Sequence, residues 1–128
     1  MSNVFRLLNS EAYTDVEFRL TDNSKLKLHR SVLAARSGLF NIYFQNRWKD
    51  KAVVRIRTIN PDIFKGLIRY IYTGAMSCEI NDFQEYLRMA RKCKLPGLDK
   101  ALIKAVKESE FSGTNTYLTP INDNNIVR

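Results

Sequence analysis

Leu26-Lys27-Leu28-His29-Arg30-Ser31-Val32-Leu33-Ala34-Ala35-Arg36-Ser37-Gly38-Leu39-Phe40 holds two periodicities in one run of chain. Leu26 and Leu28 alternate with lysines, the period of a half-buried strand. After His29 the alternation stops, and Val32, Leu33 and Arg36 with two alanines make a compact helix. Ser37-Gly38 interrupts that helix, and Ser37 caps a second one carrying Leu39, Phe40, Ile42, Tyr43 and Phe44. A strand that turns into two successive helices across a tight corner therefore decides the fold.

Working upstream, Val16, Phe18 and Leu20 alternate with Glu17 and Arg19, and Asp22-Asn23-Ser24 is a run of turn formers, so a hairpin precedes the corner. Before it, Val4, Leu7 and Leu8 lie at helical spacing beside Phe5 and predict a short first helix, which must pack on the domain or on a partner. Downstream, the β-branched Val53, Val54 and Ile56 predict a third strand. Asn60-Pro61-Asp62 starts a helix with the stripe Ile63, Phe64, Leu67, Ile68 and Ile71, and Gly74 closes it. Asn81-Asp82 is read as the cap of a further helix through Phe83, Tyr86, Leu87, Met89 and Ala90. Beyond Leu95-Pro96-Gly97 a last helix carries Leu98, Leu102, Ile103 and Val106.

With 128 residues and 45% hydrophobic content, one domain with a real core is the default. The end of the chain is rich in Asn and Thr, so residues 111–128 are expected to form a polar, flexible tail. The formal net charge of +8 raises the question of nucleic acid or anionic membrane surfaces. Lysines and arginines are however spread singly, with mild concentrations at Arg47, Lys49, Lys51, Arg55 and Arg57 and again from Arg88 to Lys107. Neither forms a basic tract or an aromatic-interleaved motif, which favours a solvated face over a nucleic-acid site.

Cys78 and Cys93 stand at no zinc-binding spacing and read as free thiols, so no metal or cofactor is expected. Neither a signal-peptide pattern nor a membrane-length apolar window is present, so the expectation is a soluble intracellular protein. Paired carboxylates in a motif, a nucleophile with its base and a phosphate loop are all missing, and an enzyme is not expected. The lone His29, at the point where strand hands over to helix, reads as a group that satisfies the backbone of the corner.

A further set of residues stays open on composition alone. Phe40 and Phe44 share a helical face and read as core. Trp48, within Gln45-Asn46-Arg47-Trp48-Lys49-Asp50-Lys51, suits either an interaction hot spot or a hydrophobic lid on its own domain.

Thr14-Asp15-Val16-Glu17-Phe18, the run from His29 to Ser37, the Phe40 to Phe44 helix, and Pro61, Phe64, Leu67 with Tyr70-Ile71-Tyr72-Thr73-Gly74 agree in order and spacing with one known pattern. Together with the Leu95-Pro96-Gly97-Leu98 corner, they make the chain resemble the BTB/POZ domain, a eukaryotic protein-interaction fold. The resemblance implies an α+β fold: a small, mostly three-stranded sheet flanked by five or six helices, with the domain over residues 1–110. It implies a homodimer through the first helix, with Val4, Leu7 and Leu8 at the interface. Asp15 and Arg30 match the charged pocket at the dimer interface of transcription-factor members, where they suit either an ion pair that fixes register or a ligand pocket. Trp48-Lys49-Asp50 occupies the loop where members that recruit cullin-3 ubiquitin ligases often carry a hydrophobic residue, any residue, then glutamate. The expected cullin contact is thus Tyr43, Trp48 and Asp50. Docking a cullin-3 ligase as a substrate adaptor, possible only with domains beyond this chain, is the first functional expectation. A dimerisation and corepressor-binding module of a transcription regulator is the alternative.

Overall fold

The computed structural model describes the backbone of residues 10–112 and 117–122, with side chains through Glu108. The segment expected to hold Val4, Leu7 and Leu8 in a first helix lies outside the described residues.

Strands β1 (Val16–Arg19) and β2 (Lys25–Leu28) form the expected antiparallel hairpin, with Val16 opposite Leu28 and Phe18 opposite Leu26. Its turn follows from its residues. Asp22 Oδ1 accepts from the Ser24 amide at 3.0 Å, and Asn23 takes the left-handed backbone (φ 70°) that asparagine tolerates better than most residues. The third strand, β3 (Val53–Arg55), runs parallel to β1, giving the order β2-β1-β3. A parallel neighbour needs a crossover, which helices α1 (Arg30–Arg36) and α2 (Gly38–Gln45) supply.

Ser37 serves both helices of that crossover. Its amide donates to the Leu33 carbonyl, closing α1, and its Oγ accepts from the Phe40 amide at 3.2 Å, opening α2. The same hydroxyl donates to the Cys93 carbonyl at 2.7 Å, which ties the corner to the far side of the domain. Helix α3 (Pro61–Thr73) begins and ends as its sequence dictates: Asn60 Oδ1 accepts from the Asp62 and Ile63 amides, Pro61 stands at the first turn, and Gly74 (φ 76°) takes the left-handed cap.

The remaining elements are α4 (Phe83–Lys92) and α5 (Leu98–Ser112). Asp82 does not cap α4 through its side chain as expected. A 3-10 turn over Ile80–Asp82 runs straight into the helix, so the Phe83 amide is already bonded to the Ile80 carbonyl. Phe18, Leu33, Phe64, Tyr72, Leu98 and Leu102 lie at the centre of the core, each below 2% exposed. Burying side chains of this kind contributes roughly 1.5–3 kcal/mol apiece. Among the described residues, five helices around a three-stranded sheet give the expected α+β architecture.

A second sheet departs from the sequence reading. Strand β4 (Ala75–Glu79) pairs antiparallel with β5 (Tyr117–Asn122), inside the range read as tail. Met76 pairs with Ile121 and Cys78 with Leu118, so Ser77 faces both Thr119 and Pro120. Such a two-against-one bulge is where a ladder accepts proline, which has no amide hydrogen to donate. Among the described residues no helix is long and apolar enough to cross a membrane.

Candidate interaction surface

Helix α2 ends at Asn46, and the loop that follows turns Trp48 inward, not outward. The indole is 8% exposed. It meets Phe18 at 5.5 Å between ring centroids, Phe40 at 5.7 Å, Phe44 at 5.4 Å and the edge of Tyr43 at 4.7 Å. This corrects the expectation of an apolar docking anchor: Trp48 is the lid of its own core. Edge-to-face and tilted packing among five aromatic rings holds it there.

Tyr43 and Asp50 stay at the surface. Tyr43 is half-buried, with the Trp48 edge on one side and the Arg47 guanidinium 4.4 Å from its ring centroid. Asp50 is exposed in a loop held by its neighbours. Tyr43 and Asp50 therefore present an amphipathic ring and a carboxylate, the ring resting against the edge of Trp48.

Arg30 supplies that support. Its Nη1 donates to the carbonyls of Trp48 at 2.9 Å and Lys49 at 3.4 Å, its Nη2 donates to the Lys51 carbonyl, and its guanidinium lies 5.2 Å from the Phe44 ring centroid. Asp15 and Arg30 do meet, but not through opposite charges. Asp15 Oδ1 accepts from the Arg30 backbone amide at 2.8 Å, and the Arg30 Nε donates to the Asp15 carbonyl at 3.3 Å. No ion pair among the described residues joins the two side chains. Asp15 thus satisfies an orphan amide in the first turn of α1, where a carboxylate is also favoured by the helix dipole.

His29, 4% exposed, fixes the corner between β2 and α1. Its Nε2 lies 2.8 Å from the Ala12 carbonyl and so must carry the hydrogen. Nδ1 is then the acceptor for the Tyr72 hydroxyl at 2.9 Å, and that hydroxyl in turn accepts from the His29 amide, also at 2.9 Å. Burial, assisted by the charge of Asp15, pushes the Tyr72 phenol up to about 12. The histidine satisfies backbone groups, as its position in the sequence suggested.

Burial likewise pushes the Cys78 and Cys93 thiols up to about 12 and about 11, which holds them protonated. Among the described residues no group of three His, Cys, Asp or Glu side chains is placed to hold a metal.

Sequence reasoning missed two surface features. Tyr13 is 89% exposed on a left-handed backbone (φ 64°), a conformation a bulky residue adopts rarely. Lysines alternating with leucines in β2 contribute to a groove against α3, of about 600 Å³. The alternation was visible, whereas its basic partners Lys65 and Arg69 come from a distant helix.

Comparison with known proteins places this geometry. The family model for the BTB/POZ domain matches residues 4–110. The chain is 30% identical over 95 residues to the centrosome-associated zinc finger protein Cp190 of Drosophila melanogaster, covering 73% of this chain and 9% of that protein. It is 29% identical over 93 residues to protein tramtrack, alpha isoform, of the same organism, covering 73% of this chain and 11% of the relative. The chain therefore spans about a tenth of the length of these curated relatives. The BTB domain of zebrafish PATZ1 superposes with a TM-score of 0.67 at 22% identity, over 82% of this chain and 89% of that one, which shows the shared fold. With the hairpin, the double-helix corner and the helical cluster all in the matched order, the chain belongs to the BTB/POZ domain family of protein-interaction modules.

Proposed function

We propose that the chain is a self-association and partner-docking module of a longer intracellular regulator, with the module over residues 1–110. The carrying observation is the pattern of coverage: about three quarters of this chain matches Cp190 and tramtrack, yet the match occupies only 9% and 11% of them. Such a domain acts as an appended device, and a zinc finger protein is among the relatives that carry it. In this reading Val4, Leu7 and Leu8 form the homodimer contact, and corepressor-type peptides are the partners. Asp15 and Arg30 serve by bracing the corner between β2 and α1. Co-expressing two differently tagged copies tests self-association. Co-purification of both tags, lost on Leu7→Asp with Leu8→Asp, is the expected result, and recovery of each tag alone removes the reading.

Docking of cullin-3 is the second reading, supported by Asp50, exposed on a loop that Arg30 holds in place, and by Tyr43, half-buried in the last turn of α2. An exposed carboxylate that accepts hydrogen bonds and a partly exposed tyrosine ring are serviceable contact groups. Mixing the purified domain with the cullin-3 N-terminal region checks it. Binding that weakens on Asp50→Ala and Tyr43→Ala supports the reading, and no binding, or binding indifferent to both, ends it.

A further inference from the structure

We propose that the groove between strand β2 and helix α3 takes an extended acidic peptide of a partner protein, added to β2 as a further strand. The argument begins with the backbone. Glu17 donates its amide to the Ala52 carbonyl and Arg19 accepts from the Ile56 amide, so these two residues of β1 face β3. Val16 and Phe18 then face β2, where they stand opposite Leu28 and Leu26. Leu26 and Leu28 spend their backbone groups on β1. The amides and carbonyls of Lys25 and Lys27 point instead to the open edge of the sheet, and none has a partner among the described residues.

An open edge is an invitation to strand addition, and proteins commonly guard it with lysines. Here the guard has a second wall. Lys65, Ile68 and Arg69 of α3 line the groove opposite Lys25, Leu26 and Lys27. Four cations thus surround a floor that includes the buried Ile68 and half-buried Leu26. Lys27 is paired with Glu11 at 3.3 Å and Lys65 with Asp22 at 2.8 Å, both exposed pairs of the kind that contributes little and exchanges readily. Lys25 and Arg69 carry no ion pair among the described residues. An incoming strand with acidic residues alternating with small apolar ones matches this arrangement: its backbone meets that of Lys25 and Lys27, its carboxylates fall on the face where the Lys25 and Lys27 side chains stand, and its apolar residues rest on Leu26 and Ile68 on the other face, where Lys65 and Arg69 add to the positive potential that draws an acidic strand in.

Charge also chooses between occupants. A second copy pairing β2 with β2 would set lysines opposite lysines on a chain that already carries +8. The segment before Ser10 contains Arg6 and no acid, so it does not complement the groove either. Nucleic acid would use the cations but leave the strand edge unpaired.

The test is fluorescence anisotropy of a labelled eight-residue peptide, alternating glutamate with valine or threonine, titrated with the full chain near physiological salt. Binding is expected, weakened at least about tenfold by Lys65→Glu with Arg69→Glu, whose folding is checked by circular dichroism. Methylating alternate backbone nitrogens of the peptide leaves the protein untouched and is expected to abolish binding, because it removes the donors of strand addition. No binding, or binding indifferent to the charge reversal or to backbone methylation, overturns the proposal. An oligonucleotide of equal charge that displaces the peptide overturns it in favour of unspecific attraction of polyanions. Self-association that is lost on Lys25→Glu overturns it in favour of an edge between copies.

Discussion

The Nη1 of Arg30 lies 2.9 Å from the carbonyl of Trp48, so the residue that opens the first helix after the hairpin holds the loop that closes the aromatic core. One guanidinium serves three carbonyls of that loop, those of Trp48, Lys49 and Lys51. A lysine in its place offers a compact ammonium without the planar fork. Arg30→Ala and Arg30→Lys are both expected to speed tryptic cleavage within Arg47 to Lys51, followed by mass spectrometry. Cleavage at the parent rate in both variants would show that the loop stands without the clamp.

Trp48 and Asp50 are two residues apart and are expected to behave oppositely. Trp48→Ala empties a site among Phe18, Phe40, Tyr43 and Phe44 and is expected to cost about 3–5 kcal/mol in urea unfolding. Asp50→Ala at the surface is expected to stay within about 0.5 kcal/mol of the parent. Loss of partner binding in a Trp48 variant therefore reports the core before it reports a contact, and equal stability of the two variants would contradict the buried indole.

Tyr72→Phe removes one oxygen that serves both the amide and the ring of His29. Both groups are buried and would be left without a partner, which costs about 1–3 kcal/mol for each unsatisfied group. Urea unfolding is expected to show a loss of at least about 1 kcal/mol, and an unchanged midpoint would mean that the hydroxyl is dispensable.

Much of this was legible because the signals are local. Val16 and Phe18 declare a strand by alternation, and Ser37, Asn60, Pro61 and Gly74 declare helix ends by their own conformational and hydrogen-bonding habits. The β4 and β5 pair was not read, although Met76 and Cys78 alternate with exposed neighbours, because the strand partner lies at the far end of the chain. Trp48 was ambiguous for a related reason. A loop has no period to assign a face, and the group that fixes this one, Arg30, lies 18 residues away. Asp15 and Arg30 were recognised as a pair, but only geometry shows that the carboxylate meets the amide and not the guanidinium.

Gly66 is required by a close approach. A Cβ built there would lie 2.0 Å from the Tyr86 Oη and 2.9 Å from its Cζ, and Tyr86 is 5% exposed with little room to retreat. Gly66→Ala is expected to destabilise the domain by about 1–3 kcal/mol through overpacking. Adding Tyr86→Phe removes the nearest atom and is expected to restore part of that loss. A double variant as unstable as the sum of the two singles would contradict this contact.

Alkaline pH is expected to unfold the domain early. Burial raises the Cys78 and Cys93 thiols from 9.0 to about 12 and about 11, and the Tyr72 and Tyr86 phenols from 10.0 to about 12. The unfolded chain releases these protons at the lower values while the folded chain keeps them. Stability from these groups is thus complete below pH 9 and is lost as pH rises toward 12, by about 1.4 kcal/mol per pH unit for each group titrating only when unfolded. The urea midpoint is expected to fall above pH 9, with the onset moving toward pH 10 in Cys78→Ala with Cys93→Ala. A flat profile through this range would contradict the burial of all four groups.

Self-association is the claim on which the functional account rests, and static light scattering of the purified chain over a range of concentrations tests it most directly. The account predicts a mass of twice 14.9 kDa, returning to the single-chain value in Leu7→Asp with Leu8→Asp while the helical circular dichroism is retained. A parent protein that keeps the mass of one chain at every concentration would contradict it.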